Sequence, residues 1–125
     1  MPQTETIFYQ DAKGRLPLLR WFDGLRNKVV DKGIAKITLL EKQGNELRFP
    51  NCKHIDGDIW SLRFKRGKVN YRILYAFCGQ NVVLLTNGTT KEKQIPNVEI
   101  ERAKRYLANY RSNPERHAYP GGPLK

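Results

Sequence analysis

Ile59 to Lys91 reads IWSLRFKRGKVNYRILYAFCGQNVVLLTNGTTK, three β-prone runs joined by two turns, and it contains neither Asp nor Glu. Arg63, Lys65, Arg66, Lys68, Arg72 and Lys91 therefore have no acidic partner in their own stretch. With Gly67-Lys68 as the two-residue loop of a type II′ hairpin, residues whose numbers sum to 135 face each other. Trp60, Leu62 and Phe64 then oppose Tyr75, Ile73 and Tyr71, an apolar and aromatic face that one side of an antiparallel sheet would bury. On the other face Arg63 opposes Arg72 and Lys65 opposes Asn70. A one-residue slip would turn the apolar set outward.

Like charges directly opposite each other cost a sheet roughly a few tenths of a kcal/mol. Two readings follow. The two Arg side chains splay into water at negligible cost, or they form a cradle in which paired guanidiniums grip a phosphate through charge-assisted hydrogen bonds. The lack of any acid across the stretch favours the cradle.

The whole chain is consistent with that preference. Its 125 residues suit one domain, and 23 Lys plus Arg against 12 Asp plus Glu leave a net charge of +11. Such a field draws polyanions, with nucleic acid the leading partner class and an anionic membrane or acidic protein behind it. No apolar run approaches a membrane helix, and MPQTETIFYQ lacks a basic segment followed by an apolar one, so a cytoplasmic protein is expected. Cys52 and Cys78 are expected to be reduced and buried.

Upstream, Thr6 to Tyr9 predicts a first strand stopping at the turn Asp11 to Gly14. Leu16, Leu19, Phe22 and Leu25 then mark a helical face, with Pro17 suited to a first turn and Gly24 ending or weakening the helix. Val30, Ile34, Ile37 and Leu40 mark a second face that stops at Gly44, well placed as a C-terminal cap. Glu46 to Asp58 reads as a loop with at most a brief extended piece. Downstream, Asn97 is a candidate N-cap for a helix carrying Val98, Ile100, Ala103, Leu107 and Tyr110, ended by Pro114. The predicted division is a domain over 1–113 and a flexible tail over 114–125.

Other chemistries have little support. Cys52-x-His54 is a fragment of a metal site, but zinc needs three or four ligands and His117 is the only other histidine. Ser61 lies on the basic face without an identifiable base and orienting acid. Asn87-Gly88-Thr89-Thr90-Lys91 lacks the glycines and flanking pattern of a phosphate loop and reads as the end of a strand. Trp60, Tyr71 and Tyr75 could suggest a base-stacking platform, yet the hairpin register places them on the core face. If Val82 to Leu85 pairs with Val69 to Phe77, then Lys91, Lys93 and Gln94 extend the basic surface.

The aromatic-x-Leu-Arg strand Trp60-Ser61-Leu62-Arg63, followed by Tyr71-Arg72-Ile73-Leu74-Tyr75 and the segment Val82 to Lys93, resembles the RelE superfamily of bacterial toxins in its phage-derived HigB-like branch. The resemblance extends to the N-terminal strand and the helical region Leu16 to Gly44. It implies an α+β fold, with an N-terminal strand and two helices packed on one face of a curved antiparallel sheet, a C-terminal helix, and RNA on the other face. It also implies a metal-independent mRNA endonuclease that needs no cofactor, is toxic through cleavage of messages on translating ribosomes, and is neutralised by a cognate antitoxin, a helix-turn-helix protein of the HigA-like kind.

By the same resemblance Arg72 contacts the scissile phosphate, and Arg63 falls on a basic catalytic position of the preceding strand. Lys65 follows on the same face, and Lys91 lies in the basic segment after the third strand. Arg66, Lys68 and Lys93 are left as RNA-binding positions. Relatives in this branch often carry His where this chain has Asn87 and Glu where it has Ser61, so no proton-transfer residue carries over. Lys65 would be a base only with its proton loosened by Arg63, Arg66 and Arg72; His117 and Tyr119 are alternatives.

Two further readings stay open. The same basic face could hold RNA or a ribosome without cutting, as the missing His and Glu would favour. A DNA-binding phage protein would instead need a recognition helix, and the unpaired charge here concentrates on strands.

Overall fold

The structure, a computed structural model, describes residues 4–91 and 93–120, with the side chain of Lys91 outside the described part. In chain order the elements are β1 (Glu5–Tyr9), α1 (Pro17–Asp23), α2 (Asn27–Gln43), β2 (Cys52–Asp56), β3 (Ile59–Arg66), β4 (Val69–Phe77), β5 (Val82–Lys91), α3 (Asn97–Ser112), α4 (Pro114–His117) and β6 (Ala118–Tyr119). A short 3₁₀ turn at Gly44–Glu46 follows α2. The fold is α+β, built on one six-stranded sheet in the order β2-β3-β4-β5-β1-β6.

The hairpin has the predicted register. Trp60 pairs with Tyr75, Leu62 with Ile73, Arg63 with Arg72, Phe64 with Tyr71 and Lys65 with Asn70. Gly67 has φ of 62° while Lys68 has no positive φ, as a type II′ loop requires. The sheet is mixed rather than wholly antiparallel, because β1 runs parallel to β5, with Glu5 beside Val82 and Phe8 beside Leu85. A parallel pair needs a long crossover, and the helices and the β2-β3-β4 meander supply it.

Both sheet faces are packed, which corrects the expectation of helices on one face only. On the first face α1 and α2 cover Phe8, Leu62, Phe64, Ile73, Tyr75, Val83 and Leu85. On the second, Ala103 and Leu107 of α3 lie against Ile7, Tyr9, Ile59, Leu74, Ala76 and Leu84. This double burial accounts for the unbroken apolar runs in β4 and β5, since each strand must be apolar on both sides where both sides are covered. Along β4 the second face presents Asn70, Arg72, Leu74 and Ala76 in turn; the last two are fully buried and the first two partly exposed. The cover of α3 therefore stops between Leu74 and Arg72, leaving the turn end of the hairpin open.

Several local details depart from the sequence reading. The buried faces of the first two helices are carried by Leu18 and Phe22, and by Val29, Gly33, Ile37 and Leu40, one position away from parts of the predicted stripes. Gly33 explains the second shift: a Cβ there would lie 3.0 Å from Phe22 and 3.1 Å from Phe64, so this small residue faces the core. Gly24 and Gly44 do end their helices. Pro96, not Asn97, is the N-cap of α3, and no side chain caps that end.

The brief extended piece allowed within Glu46 to Asp58 is a five-residue edge strand, Cys52–Asp56, paired with β3. The segment from 114 to 120 carries two short elements. Pro114–His117 is a helical turn, and Ala118–Tyr119 pairs antiparallel with β1; residues 121–125 lie outside the described part. Both cysteines are free, with Cys52 buried and Cys78 partly so, and burial pushes the Cys78 thiol up from its ordinary value.

Candidate nucleic-acid interface

The open end of the hairpin carries a groove of about 270 Å³ lined by Lys36, Pro50, Asn51, Arg63, Phe64, Lys65, Asn70, Tyr71 and Arg72. Four cations and no carboxylate line it. Among the described residues, the ion pairs are Arg15–Asp11, Arg102–Glu99, Lys104 with Asp56 and Glu101, and Arg111–Asp58. None involves a groove cation, so the positive charge that α3 and the first loop neutralise locally is left unneutralised here.

The hairpin positions Arg63 and Arg72, and aromatic packing beneath holds the hairpin. Phe64 stacks on Tyr71 with ring centroids 5.4 Å apart, and Trp21 of α1 meets both rings edge-on at 6.3 Å. Trp21 reaches this place because β5 has glycine at position 88, where a Cβ would stand 2.2 Å from the indole; its Nε1 also donates to Thr90 Oγ1 at 3.1 Å. The helix α2 closes the other side: Lys32 Nζ donates to Lys65 O at 2.9 Å, and Lys36 Nζ donates to Asn51 Oδ1. Arg63 is fixed through its backbone N–H, which donates to Asn51 O at 2.9 Å, and its guanidinium lies 4.7 Å from the Phe49 ring centroid.

Arg72 is the most constrained cation. Its Nη2 donates to Lys93 O, while its Nη1 is buried without a hydrogen-bond partner. Burial first, and the facing Arg63 second, hold its pKa below the ordinary arginine value. A guanidinium loses little of its charge by such a shift, so Arg72 remains a cation, and its covered Nη1 meets a phosphate only when the side chain turns toward the groove.

Of the sequence-predicted residues, Arg63, Lys65 and Arg72 meet in the groove, and Arg66 and Lys68 stand exposed at the hairpin tip. Lys93 is exposed, and its carbonyl anchors Arg72. The backbone of Lys91 pairs with Asn70, while its side chain lies outside the described residues. Ser61 is on the predicted face but completely buried, its Oγ donating to Lys53 O at 3.4 Å, so it is no surface group. Asn87 is also buried, and its Nδ2 donates to Glu99 O at 3.2 Å and Glu99 Oε1 at 3.1 Å, clamping α3 to the sheet.

His117 and Tyr119 are excluded from the groove by topology. His117 ends α4 and Tyr119 lies in β6, the edge strand four places from β3; His117 stacks on Tyr9 at 5.4 Å and bonds Gln10 O through Nδ1 at 2.8 Å. Lys36, Asn51 and Phe49 were not predicted. Lys36 shares its helix with other lysines, and only packing shows which one reaches the groove; the exposure of Phe49 within its loop is likewise set by packing.

The model of the family described as phage derived protein Gp49-like (DUF891) matches residues 20–108, from the second half of the first helix through most of the last long one. No curated protein matches the chain.

Proposed function

This chain belongs to the Gp49-like phage-derived family, a RelE-like, toxin-like family of toxin-antitoxin systems, and on that premise we propose that it is a type II toxin that cleaves mRNA without a metal, on translating ribosomes. The observation that carries the reading is the acid-free groove in which Arg63 and Arg72 face each other across the β3–β4 pair. Two opposed guanidiniums cost stability where nothing anionic lies between them, and they suit a phosphate that does.

In the proposed reaction the 2′-hydroxyl beside the scissile phosphate attacks phosphorus, and the 5′-oxygen of the next nucleotide leaves. Arg72 and Arg63 stabilise the charge on the five-coordinate phosphorus. Donors placed in advance for such charge are each worth about 100-fold or more in rate. Lys65 is the groove group assigned to proton transfer, with Lys91 from the neighbouring strand as the second candidate. Arg66, Lys68 and Lys93 hold the flanking backbone. A helix-turn-helix antitoxin of the HigA-like kind would neutralise the protein by covering this face.

Mapping new RNA 5′ ends in cells after brief induction tests the proposal. Expected are new ends within translated frames, absent for Arg72→Ala; wild-type cleavage by that folded variant would overturn the assignment. A second reading is supported by the burial of Ser61 and Asn87 and by a groove lining with no imidazole or carboxylate: a module that grips RNA or a ribosome without cutting. It predicts growth inhibition with no new ends.

A further inference from the structure

A second concavity, of about 410 Å³, adjoins the cationic groove and is lined by Asn45, Leu47, Arg48, Phe49, Cys52, Lys53, His54 and Trp60. It too contains no carboxylate. Arg63 joins the two, since it lines the first groove while its guanidinium lies over the Phe49 ring that lines the second.

Phe49 is 66% exposed, which is unusual for a phenylalanine that packs under neither core. The residues flanking it are tied to one another: Arg48 Nη1 donates to Asn45 O at 2.7 Å, and Asn51 N donates to Arg48 O at 3.0 Å. The ring is thus presented by an ordered loop. Across the concavity Trp60 is half-buried, braced edge-on by His54 at 5.2 Å and by Phe77 at 6.2 Å. Exposed aromatic surface beside unneutralised cations matches single-stranded nucleic acid, whose bases stack on aromatic rings while its phosphates follow the charge. An apolar segment of a protein partner would match the rings but gain nothing from Arg48, Lys53 and Arg63.

We propose that Phe49, with Trp60 behind it, is a nucleobase-stacking subsite for the nucleotide adjoining the phosphate held between Arg63 and Arg72. The proposal rests on the RNA reading of the groove and adds to it a residue that recognises the base. Because every base has a π-face, the subsite places a nucleotide beside the cleavage position without selecting its sequence, and Arg63 links base placement to phosphate placement by touching both.

The test uses the full chain and a short single-stranded 2′-O-methyl RNA, which 2′-hydroxyl attack cannot cut, together with an abasic copy of the same backbone. Phe49→Leu is expected to weaken binding of the base-bearing strand about 5- to 150-fold, the range of one lost base–aromatic stack. Binding of the abasic strand is expected to stay the same, and Phe49→Tyr to retain wild-type affinity. Equal loss on both strands would overturn the subsite and make Phe49 a support for Arg63. Unchanged binding of the base-bearing strand by Phe49→Leu would also overturn it and leave the exposed ring to a protein partner, with the phosphate reading intact. Failure of the wild-type chain to bind either strand would overturn the groove reading itself. The exposure of Phe49 keeps these variants folded, with far-ultraviolet circular dichroism as the control.

Discussion

Replacing Arg72 with Met removes the guanidinium but keeps an unbranched stem, and the structure sets its separate effects on stability and on binding. Stability gains from ending the opposition with Arg63, about 0.2 to 1 kcal/mol, and from no longer burying an unpaired Nη1, about 1 to 3 kcal/mol. It loses the hydrogen bond to Lys93 O, about 1.5 to 3 kcal/mol for a charged donor. These nearly cancel, so Arg72→Met should stay within about 1 kcal/mol of the parent and within about 5 °C in thermal midpoint. The depressed pKa of Arg72 points the same way: its charged form is disfavoured in the folded state at every pH below that pKa, so at neutral pH the charge does not stabilise the fold.

Binding has no such cancellation. If the four groove cations each neutralise one phosphate of a single strand, log affinity falls with log salt at a slope of about −2.8, and of about −2.1 for the variant. A fourfold rise in salt then weakens binding about 50-fold in the parent and about 20-fold in the variant. Urea denaturation and a salt titration of 2′-O-methyl RNA binding read the two quantities. A stability loss above about 3 kcal/mol would make Arg72 a structural residue, and an unchanged salt slope would remove it from the interface; either result refutes the reasoning.

Three further outcomes are expected. Gly88→Ala places a methyl 2.2 Å from the Trp21 ring and should destabilise by about 1 to 3 kcal/mol, read as a lowered thermal midpoint; an unchanged midpoint would mean that the indole moves freely. Asn87→Asp sets a carboxylate against Glu99 O and Glu99 Oε1 in a buried site. Its penalty is absent below the unfolded carboxyl pKa of about 4 and grows as pH rises toward the raised folded value, so denaturation midpoints of variant and parent should converge in acid. The Lys104 ammonium, through its hydrogen bond at 2.7 Å and its charge, holds the Asp56 carboxyl below its ordinary value. Asp56 therefore adds stability above the ordinary carboxyl range and loses it as pH falls through the lowered value; in Lys104→Gln its titration by NMR should move up, and an unmoved midpoint would deny the pairing.

The hairpin was legible because it is short-range. Gly67 admits the positive φ that a two-residue loop needs, and once that loop is placed, strand geometry dictates every facing pair down to Arg63 and Arg72. The helix stops at Gly24 and Gly44 were legible for the same local reason. The exact buried stripes were not, because Gly33 faces the core only where Phe22 and Phe64 approach it. The bounds of the edge strand Cys52–Asp56 and the β1–β6 pairing were not legible, because their partners, not their own patterns, make them strands.

The candidate site divides in the same way. Sequence alone determined that a run of cations lacks acids and that two arginines must oppose each other, since both follow from composition and from a pairing only a few residues long. Tertiary structure decided which part of that face is open, by ending the cover of α3 between Leu74 and Arg72. It buried Ser61 and Asn87, carried His117 to the far edge, and brought Lys36 and Phe49 to the arginines. Those outcomes depend on where separate elements come to rest against one another, which packing of the whole chain sets and no local pattern encodes.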